Sequence, residues 1–227
     1  MSVPMLVKEP GGAPRGAVIV CHEAFGITEH IELVCERYAA AGYLTVVPAF
    51  FHRSEDPPPI VAYDDIPSAI DQMGRLDPDG VLADVDDAVA LAAGRGIGAA
   101  MTGIVGFCMG GTIAYHVAGR RGLGSAVTFY GGGVAEGRMG FPAMVEAAGA
   151  MQTPWLGLFG DLDQSIPVEH VERLRGAVAS ANVPTDIVRY PDAYHGFHCD
   201  DRPAVFHAAA AADAHVRTLG WFATHMR

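Results

Sequence analysis

Charged residues are scarce in this sequence of 227 residues: they make up 18% of it, while hydrophobic residues make up 50%. A chain that stays disordered needs the reverse composition, with low hydrophobicity and high net charge, so disorder is excluded as its main state. Basic residues are the scarcer kind, 15 against 26 acidic ones, and the net charge is −11. Because an acidic surface repels phosphate backbones, the composition argues against a nucleic-acid partner.

Long hydrophobic runs are absent as well. No uninterrupted apolar run reaches the roughly 18 residues that a membrane-spanning helix requires, so we expect no membrane partner. The first residues, MSVPMLVKEPGG, lack the basic stretch and long apolar core of a secretory signal. The four cysteines, Cys21, Cys35, Cys108 and Cys199, form no C-x-x-C pair and no zinc-finger spacing. These features predict a cytoplasmic protein with reduced thiols, in which a disulfide pair is disfavoured.

Six short apolar runs alternate with segments of helical spacing. The runs cover residues 16–21, 43–47, 102–106, 125–130, 154–159 and 185–190. Most of them lack polar alternation, which is typical of strands buried on both faces of a parallel sheet. Between the runs, apolar residues recur on one helix face, as Val81, Val85 and Val89 do, and the Ala-rich stretch 203–226 predicts a long closing helix. The alternation predicts an α/β fold, a doubly wound, mostly parallel sheet with helices on both faces, and a single domain over residues 1–227.

Two stretches of the sequence are irregular. Residues 51–67 contain three consecutive prolines, 57–59, which fit neither a helix interior nor a central strand. This stretch is either a surface connector or a wall of a substrate cleft. Residues 131–149 are rich in glycine and predict a second loop.

The strongest chemical signal is the segment 106–111, GFCMGG, which follows the third predicted strand and precedes a helical stretch over 112–121. It has the form G-x-C-x-G, which is the nucleophile-elbow pattern with cysteine in place of serine. The glycines keep side chains out of a sharp strand-to-helix turn, and the helix N-terminus favours a thiolate and offers an N–H to an oxyanion. The pattern therefore predicts Cys108 as a nucleophile; the alternative is a glycine-rich junction that buries a cysteine.

A cysteine nucleophile needs a base, and the base needs an acid that orients it. Elbow enzymes carry these groups in the chain order nucleophile, acid, histidine. After the fifth predicted strand, residues 160–167 (GDLDQSIP) offer Asp163 as the acid, with Asp161 as its rival, although either residue can instead cap the next helix. After the sixth strand, His195 is the candidate base and His198 is the alternative.

The loop after the first predicted strand, residues 21–26 (CHEAFG), stands where an elbow hydrolase places a second oxyanion donor. Glu23 is unusual there, because its carboxylate would lie beside a mostly apolar cleft. The alternative is an ordinary surface glutamate or an acid at the start of a helix.

With these motifs in place, the sequence resembles the dienelactone hydrolase family of the α/β-hydrolase superfamily. The resemblance rests on residues 22–26 (HEAFG), 45–48 (TVVP), 106–111 (GFCMGG), 130–131 (YG), 160–163 (GDLD) with Pro167, and 194–197 (YHGF). It implies Cys108 as nucleophile, His195 as base and Asp163 as its partner. It further implies the backbone N–H groups of Ala24 and Met109 as oxyanion donors, and Glu23 as a hydrogen-bond partner that modulates the resting thiol.

The sequence departs from the family where the substrate carboxylate is held. Family members carry an arginine four residues beyond the catalytic histidine, where this chain has Cys199, and another in a segment that corresponds to residues 60–74, which contain no Arg or Lys. Arg53, Arg75 and Arg202 are the nearby candidates to replace them. An acidic residue common after Pro48 is Ala49 here.

We therefore expect a hydrolase that cleaves a small-molecule ester or lactone through a cysteine acyl-enzyme, with no metal or organic cofactor, as a monomer or small homo-oligomer. One alternative is an esterase or thioesterase of the same fold that acts on another acyl group. The other is a non-catalytic α/β-hydrolase scaffold that serves as a binding or redox-sensing protein through a reactive Cys108.

Overall fold

The computed structural model describes residues 2–55 and 57–227; Met1 and Asp56, the latter within the predicted irregular stretch 51–67, lie outside the described residues. Seven strands of the described chain form one sheet in the order β1-β3-β2-β4-β5-β6-β7. They are β1 (Met5–Lys8), β2 (Ala17–Cys21), β3 (Leu44–Pro48), β4 (Thr102–Phe107), β5 (Ser125–Phe129), β6 (Trp155–Gly160) and β7 (Thr185–Tyr190). Only β1 runs antiparallel to its neighbour, and the other pairings are parallel.

Helices connect the parallel strands. They are α1 (Glu29–Ala40), α2 (Ile66–Gly74), α3 (Pro78–Gly94), α4 (Met109–Ala118), α5 (Met144–Ala147), α6 (Val168–Val178) and α7 (Ala208–His225). Short 3-10 turns cover Phe50–Arg53, Ala99–Met101 and Ala148–Ala150.

Two glycines of β4 show that helices α7 and α4 pack on opposite faces of the sheet. A Cβ atom on Gly103 would lie 3.2 Å from Phe222 of α7, whereas one on Gly106 would lie 1.9 Å from the Gly110 carbonyl oxygen of α4. Because residues 103 and 106 differ by an odd number of positions, they point to opposite faces of the strand. The mostly parallel, doubly wound sheet predicted from the sequence is confirmed.

The central strands are buried on both faces, as their unbroken apolar runs predict. Every residue of β2, β3, β4, β5 and β6 is buried, and Trp155 and Phe107 are among the largest side chains that solvent does not reach. The rigid core fixes the carboxyl ends of β2, β4, β6 and β7 relative to each other. The segments that directly follow those four ends carry the predicted catalytic, oxyanion-hole and thiol-modulating residues.

The stretch 51–67 is more regular than the sequence predicts. Helix α2 begins within it because the Asp65 side chain accepts a hydrogen bond from the Ser68 N–H, and Pro67 stands in the first turn, where no N–H is needed. The stretch 131–149 is mostly a loop, as predicted, and contains the one-turn helix α5 and the start of the 3-10 turn at Ala148. No helix in the described part of the chain is long and apolar enough to span a membrane.

Candidate active site

Cys108 lies at the turn between β4 and α4 with a backbone φ of 54° and ψ of −114°. A non-glycine residue in this region is strained, so the surrounding structure must impose it. Neighbouring glycines permit it: a Cβ on Gly110 would approach the Cys21 carbonyl oxygen to 2.0 Å. The Cys108 N–H is held by the Phe129 carbonyl of β5 at 3.1 Å. The half-buried sulfur therefore projects at the carboxyl edge of the sheet, as a nucleophile elbow requires.

His195 lies in the loop after β7, and its Nδ1 atom is 2.6 Å from Oδ2 of Asp163 in the loop after β6. Asp163 is buried, and its other oxygen accepts hydrogen bonds from the Ser165 N–H (2.9 Å) and the Ser165 hydroxyl (2.7 Å). The carboxylate is thus fixed on one side by Ser165 and on the other by the imidazole. This arrangement holds the proton of His195 on Nδ1 and leaves Nε2 for chemistry.

The electrostatics link His195 to both neighbours. Burial alone would lower the pKa of His195, but the negative charge of Cys108 and the hydrogen bonds with Asp163 and Cys108 outweigh it and raise the pKa to about 10. Burial alone would raise the pKa of Asp163, yet its hydrogen bonds with His195 and Ser165 keep it below the ordinary value. The raised pKa of His195 favours the protonated imidazolium form of this ring.

The two rival residues named from the sequence lie in other surroundings. Asp161 forms a bidentate pair with Arg189, with two N–O distances of 2.7 Å. His198 is buried with its ring centroid 5.1 Å from those of Phe107 and Phe129, and burial lowers its pKa well below the ordinary value. Of the two acids and two histidines, the contacting pair is Asp163 with His195.

The loop that carries His195 is anchored to α1. Asp200 accepts a hydrogen bond from Nδ1 of the fully buried His30 at 2.6 Å and is also paired with Arg37. Because α1 follows the loop 22–28 directly, this contact links the loop of the predicted base to the loop of a predicted oxyanion donor.

Ala24 and Met109, the predicted oxyanion donors, follow β2 and the elbow respectively. Both residues are buried, and within the described chain no oxygen accepts from either backbone N–H. Met109 is the first residue of α4, so its N–H is one of the groups that a helix leaves unpaired at its start.

Glu23 is buried rather than on the surface. Its Oε1 atom accepts a hydrogen bond from the Tyr130 hydroxyl at 3.3 Å, and Oε2 has no partner among the described residues. Burial, followed by the charges of Glu23, Cys199 and Cys108, raises the pKa of Tyr130 well above its ordinary value. The carboxylate is thus paired with Tyr130 rather than with the sulfur, and both lie within electrostatic range of the same hydroxyl.

Tyr130 and Ser165 are site residues that the sequence reasoning did not single out. Tyr130 has a positive φ of 39°, and its ring centroid is 5.1 Å from that of His195. Tyr130 belongs to the residues that carry the family resemblance, but a tyrosine after a strand has no chemical signature of its own. Ser165 could have been suspected from its spacing of two residues beyond Asp163, which is typical of an Asx turn.

The three arginines considered as carboxylate ligands differ in their surroundings. Arg53 is bound bidentately by the buried Asp84, and Arg75 pairs with Asp71 on the exposed side of α2. The Arg202 guanidinium lies 5.4 Å from the ring centroid of Phe25 and 5.7 Å from that of Tyr63. It has no carboxylate partner in the described part of the chain.

Arg202 also lies beside the backbone of the residue after His195, because one of its terminal nitrogens is 3.0 Å from the point where a Cβ on Gly196 would stand. Gly196 follows His195 directly, and Phe25 follows Ala24. Among the three arginines, Arg202 alone flanks both loops of the predicted site. No cluster of three His, Cys, Asp or Glu side chains suited to a metal ion occurs among the described residues.

The mostly parallel seven-stranded sheet and its helices define an α/β-hydrolase fold. The fold is shared with an α/β-hydrolase enzyme from a deep-sea metagenome library, with a TM-score of 0.63, 15% identity, and coverage of 94% of this chain and 85% of the other. Residues 3–226 match the model of the dienelactone hydrolase family, and the chain belongs to that family. It is a hydrolase of the dienelactone hydrolase type, as the sequence predicts.

Individual relatives agree with this assignment. A protein of Escherichia coli that is provisionally named a carboxymethylenebutenolidase is 39% identical over 212 residues, which cover 92% of this chain and 77% of the relative. A protein of Methylorubrum extorquens with the same provisional name is 36% identical over 215 residues, 93% of this chain and 72% of the relative. A crystal structure from Klebsiella pneumoniae, provisionally titled a dienelactone hydrolase, has a TM-score of 0.88 and 38% identity, and the match covers 97% of this chain and 92% of the other.

Proposed function

We propose that this protein hydrolyses a small ester or lactone through a thioester on Cys108, with His195 as the base and Asp163 as the acid that orients it. The observation that carries the proposal is the 2.6 Å contact between His195 Nδ1 and Asp163 Oδ2 beside a cysteine at the strained elbow. The raised pKa of His195 supports a protonated imidazole that can donate its proton to the leaving group.

The chemistry follows in two steps. The Cys108 sulfur attacks the ester carbonyl, and the resulting oxyanion accepts hydrogen bonds from the Ala24 and Met109 N–H groups. His195 gives its proton to the departing alkoxide as the C–O bond breaks, which leaves a thioester. A water molecule then attacks the thioester while His195 takes one of its protons, and the carboxylic acid leaves as the sulfur departs.

The position of Arg202 supports the proposal that the substrate bears an anionic group. The name carboxymethylenebutenolidase, carried by the relatives, denotes hydrolysis of an unsaturated lactone that bears a carboxylate. A guanidinium without a carboxylate partner, held over Phe25 and Tyr63 beside the catalytic loop, suits such a group. We expect Arg202→Gln to raise KM about tenfold or more for a carboxylate-bearing ester, and to leave KM for its neutral methyl-ester analogue within about twofold.

A panel of lactones and aryl esters, assayed with the wild type and with Cys108→Ala, tests the function. We expect turnover that is lost in Cys108→Ala, and mass spectrometry of quenched wild type should find the acyl group on Cys108. Turnover that survives in Cys108→Ala would refute the cysteine mechanism. Turnover of thioesters or other acyl groups, but not of lactones, would favour the esterase or thioesterase alternative.

Absence of turnover for every substrate, together with rapid alkylation of Cys108, would favour the binding or redox-sensing alternative. All four cysteines are unpaired, which supports a reducing compartment, and we propose that the enzyme acts in the cytoplasm on a small molecule. The expected state is a monomer or small homo-oligomer, which size-exclusion chromatography with light scattering would measure.

A further inference from the structure

The peptide unit between Glu23 and Ala24 contains both a carbonyl oxygen and the proposed oxyanion donor. A trans peptide is planar, and its C=O and N–H bonds point in opposite directions. Whatever holds the Glu23 carbonyl therefore also sets the direction of the Ala24 N–H. In this structure the Glu23 carbonyl accepts a hydrogen bond from the Gly26 N–H at 3.2 Å, and Nδ1 of His22 lies 2.7 Å from it.

The two ring nitrogens of His22 have distinct partners that define its tautomer. The Phe50 N–H donates to Nε2 at 3.2 Å, so Nε2 must be the unprotonated nitrogen. The proton of the neutral ring is therefore on Nδ1, which donates it to the Glu23 carbonyl oxygen. Burial lowers the pKa of His22 to about 4, so the ring stays neutral at neutral pH and keeps this pattern.

The ring itself is held in place. His22 is 1% exposed, and its centroid lies 5.2 Å from that of Phe50 and 5.1 Å from that of Phe51. Phe50 and Phe51 belong to the 3-10 turn after β3, so His22 connects the oxyanion loop to a neighbouring rigid element.

We propose that His22 is a positioning residue of the oxyanion hole, which aims the Ala24 N–H at the reacting carbonyl by holding the Glu23 carbonyl from behind. The inference rests on the proposed function, because it presupposes an oxyanion between Ala24 and Met109. Removal of a complete oxyanion-hole donor lowers kcat by about 100- to 1,000-fold in other hydrolases, and a misdirected donor is expected to lower it by about 10- to 100-fold.

Two substitutions separate the two contacts of the ring. In His22→Asn the side-chain amide nitrogen stands near the position of Nδ1 and still donates to the Glu23 carbonyl. In His22→Gln the side-chain amide reaches the position of Nε2, where its carbonyl oxygen accepts a hydrogen bond from the Phe50 N–H. The Glu23 carbonyl then lacks the donor that Nδ1 supplies in the wild type. We expect kcat to fall about 10- to 100-fold in His22→Gln and within about threefold in His22→Asn, with KM nearly unchanged in both.

Alkylation by iodoacetamide distinguishes a positioning role from a merely structural one. A structural defect would lower both the alkylation rate and turnover, whereas a misdirected oxyanion donor lowers turnover alone. This reaction needs the Cys108 thiolate but forms no oxyanion, so its rate should stay within about twofold of the wild type in both variants. A trifluoromethyl ketone, which adds to the sulfur and places an oxyanion in the hole, should bind about 10- to 100-fold more weakly to His22→Gln. Equal loss of turnover in both variants, full turnover in His22→Gln, or a parallel loss of alkylation would overturn the inference.

Nitrogen NMR of the wild type provides a test that does not depend on the folding of a variant. We expect His22 to carry its proton on Nδ1, with Nε2 unprotonated; the opposite tautomer would overturn the inference. If the wild type turns over its substrate through Cys108 but the His22 results are negative, the positioning role alone fails. If the wild type forms no acyl-enzyme on Cys108, the proposed function itself fails.

Discussion

At the scale of single residues, the loop 160–167 contains two aspartates two positions apart with different partners. Asp163 is 4% exposed and contacts His195, whereas Asp161 pairs with Arg189 near the surface. Only a carboxylate that contacts the imidazole can fix its tautomer and stabilise the imidazolium. The two positions therefore provide a matched comparison on one loop.

We predict that Asp163→Asn lowers kcat by about 100-fold or more, while Asp161→Asn changes kcat by less than about threefold. Asp161→Asn should instead lower the free energy of unfolding by roughly 1 kcal/mol, since it weakens a partly exposed ion pair. Steady-state kinetics and urea unfolding of both variants measure these effects. A larger loss of kcat in Asp161→Asn would contradict the assignment of the acid.

Glu23 is a second residue whose charge can be removed, in order to test its effect on the reactivity of Cys108. The Glu23 carboxylate contacts the Tyr130 hydroxyl, which the charge of Cys108 also reaches, and one negative charge disfavours another nearby. We predict that Glu23→Gln alkylates faster than the wild type below about pH 8 and turns over substrate more slowly. Alkylation rate against pH measures the effect, and Glu29→Gln, at the exposed start of α1, is the control.

Identical alkylation profiles and unchanged turnover in Glu23→Gln would make Glu23 a bystander. The sequence alone could not decide this matter. It marks Glu23 as an unusual acid in the loop, but its burial and its Tyr130 partner depend on β5, which lies more than a hundred residues away along the chain.

At the scale of elements, the five fully buried strands, β2 to β6, could be predicted because a strand covered on both faces needs an unbroken apolar run. β1 could not, since it is a four-residue edge strand of half-buried residues whose place depends on pairing with β3. The sequence does not predict helix α2, because the prolines that precede it make the whole stretch 51–67, including the capping residue Asp65, look irregular. The chain order of nucleophile, acid and histidine could be predicted, because each of these residues follows a strand that the sequence itself predicts.

The elbow is the element whose geometry is most demanding, and glycine substitutions test it. Gly106→Ala would place a Cβ 1.9 Å from the Gly110 carbonyl oxygen, a backbone atom that cannot move without displacing α4. We predict a loss of about 3 kcal/mol or more in the free energy of unfolding, or failure to fold. Thermal and urea unfolding provide the measurement.

Gly176 in α6 is the matched control, because a Cβ there would meet no atom within 4 Å. Gly176→Ala should raise the free energy of unfolding by about 0.5–1 kcal/mol, since alanine restricts the unfolded chain and favours the helix. A Gly106→Ala protein with the unfolding midpoint of the wild type would refute the close approach of β4 and α4 at the elbow.

At the scale of the whole molecule, buried histidines make stability depend on pH. Burial lowers the pKa of His22 to about 4 and that of His198 well below its ordinary value. Burial, followed by the charge of Arg120, lowers the pKa of His116 to about 4. These rings are neutral in the folded protein but titrate near pH 6.5 in the unfolded chain. His195 is protonated in both states below that pH, so its imidazole adds no difference there.

Between pH 6.5 and about 4 the unfolded state therefore binds more protons than the folded state, and stability must fall as the pH falls. Each lowered histidine contributes a slope of about 1.4 kcal/mol per pH unit within this window. The contribution is fully present above pH 6.5 and is lost progressively on acidification. Urea unfolding at pH 4.5, 5.5, 6.5 and 7.5 measures the total slope.

The contribution of His116 to the dependence of stability on pH can be tested by a single substitution. Its ring stacks on Phe141 with centroids 4.6 Å apart, and its Nε2 atom has no partner among the described residues, so a phenylalanine should fit the same place. We predict that His116→Phe reduces the acid slope by about 1.4 kcal/mol per pH unit and leaves stability at pH 7.5 within about 1 kcal/mol. His170→Phe, the same substitution at a half-exposed position of α6, is the matched control. An unaltered slope in His116→Phe would mean that this ring is already protonated in the folded protein, and burial would then not control the acid stability of the fold.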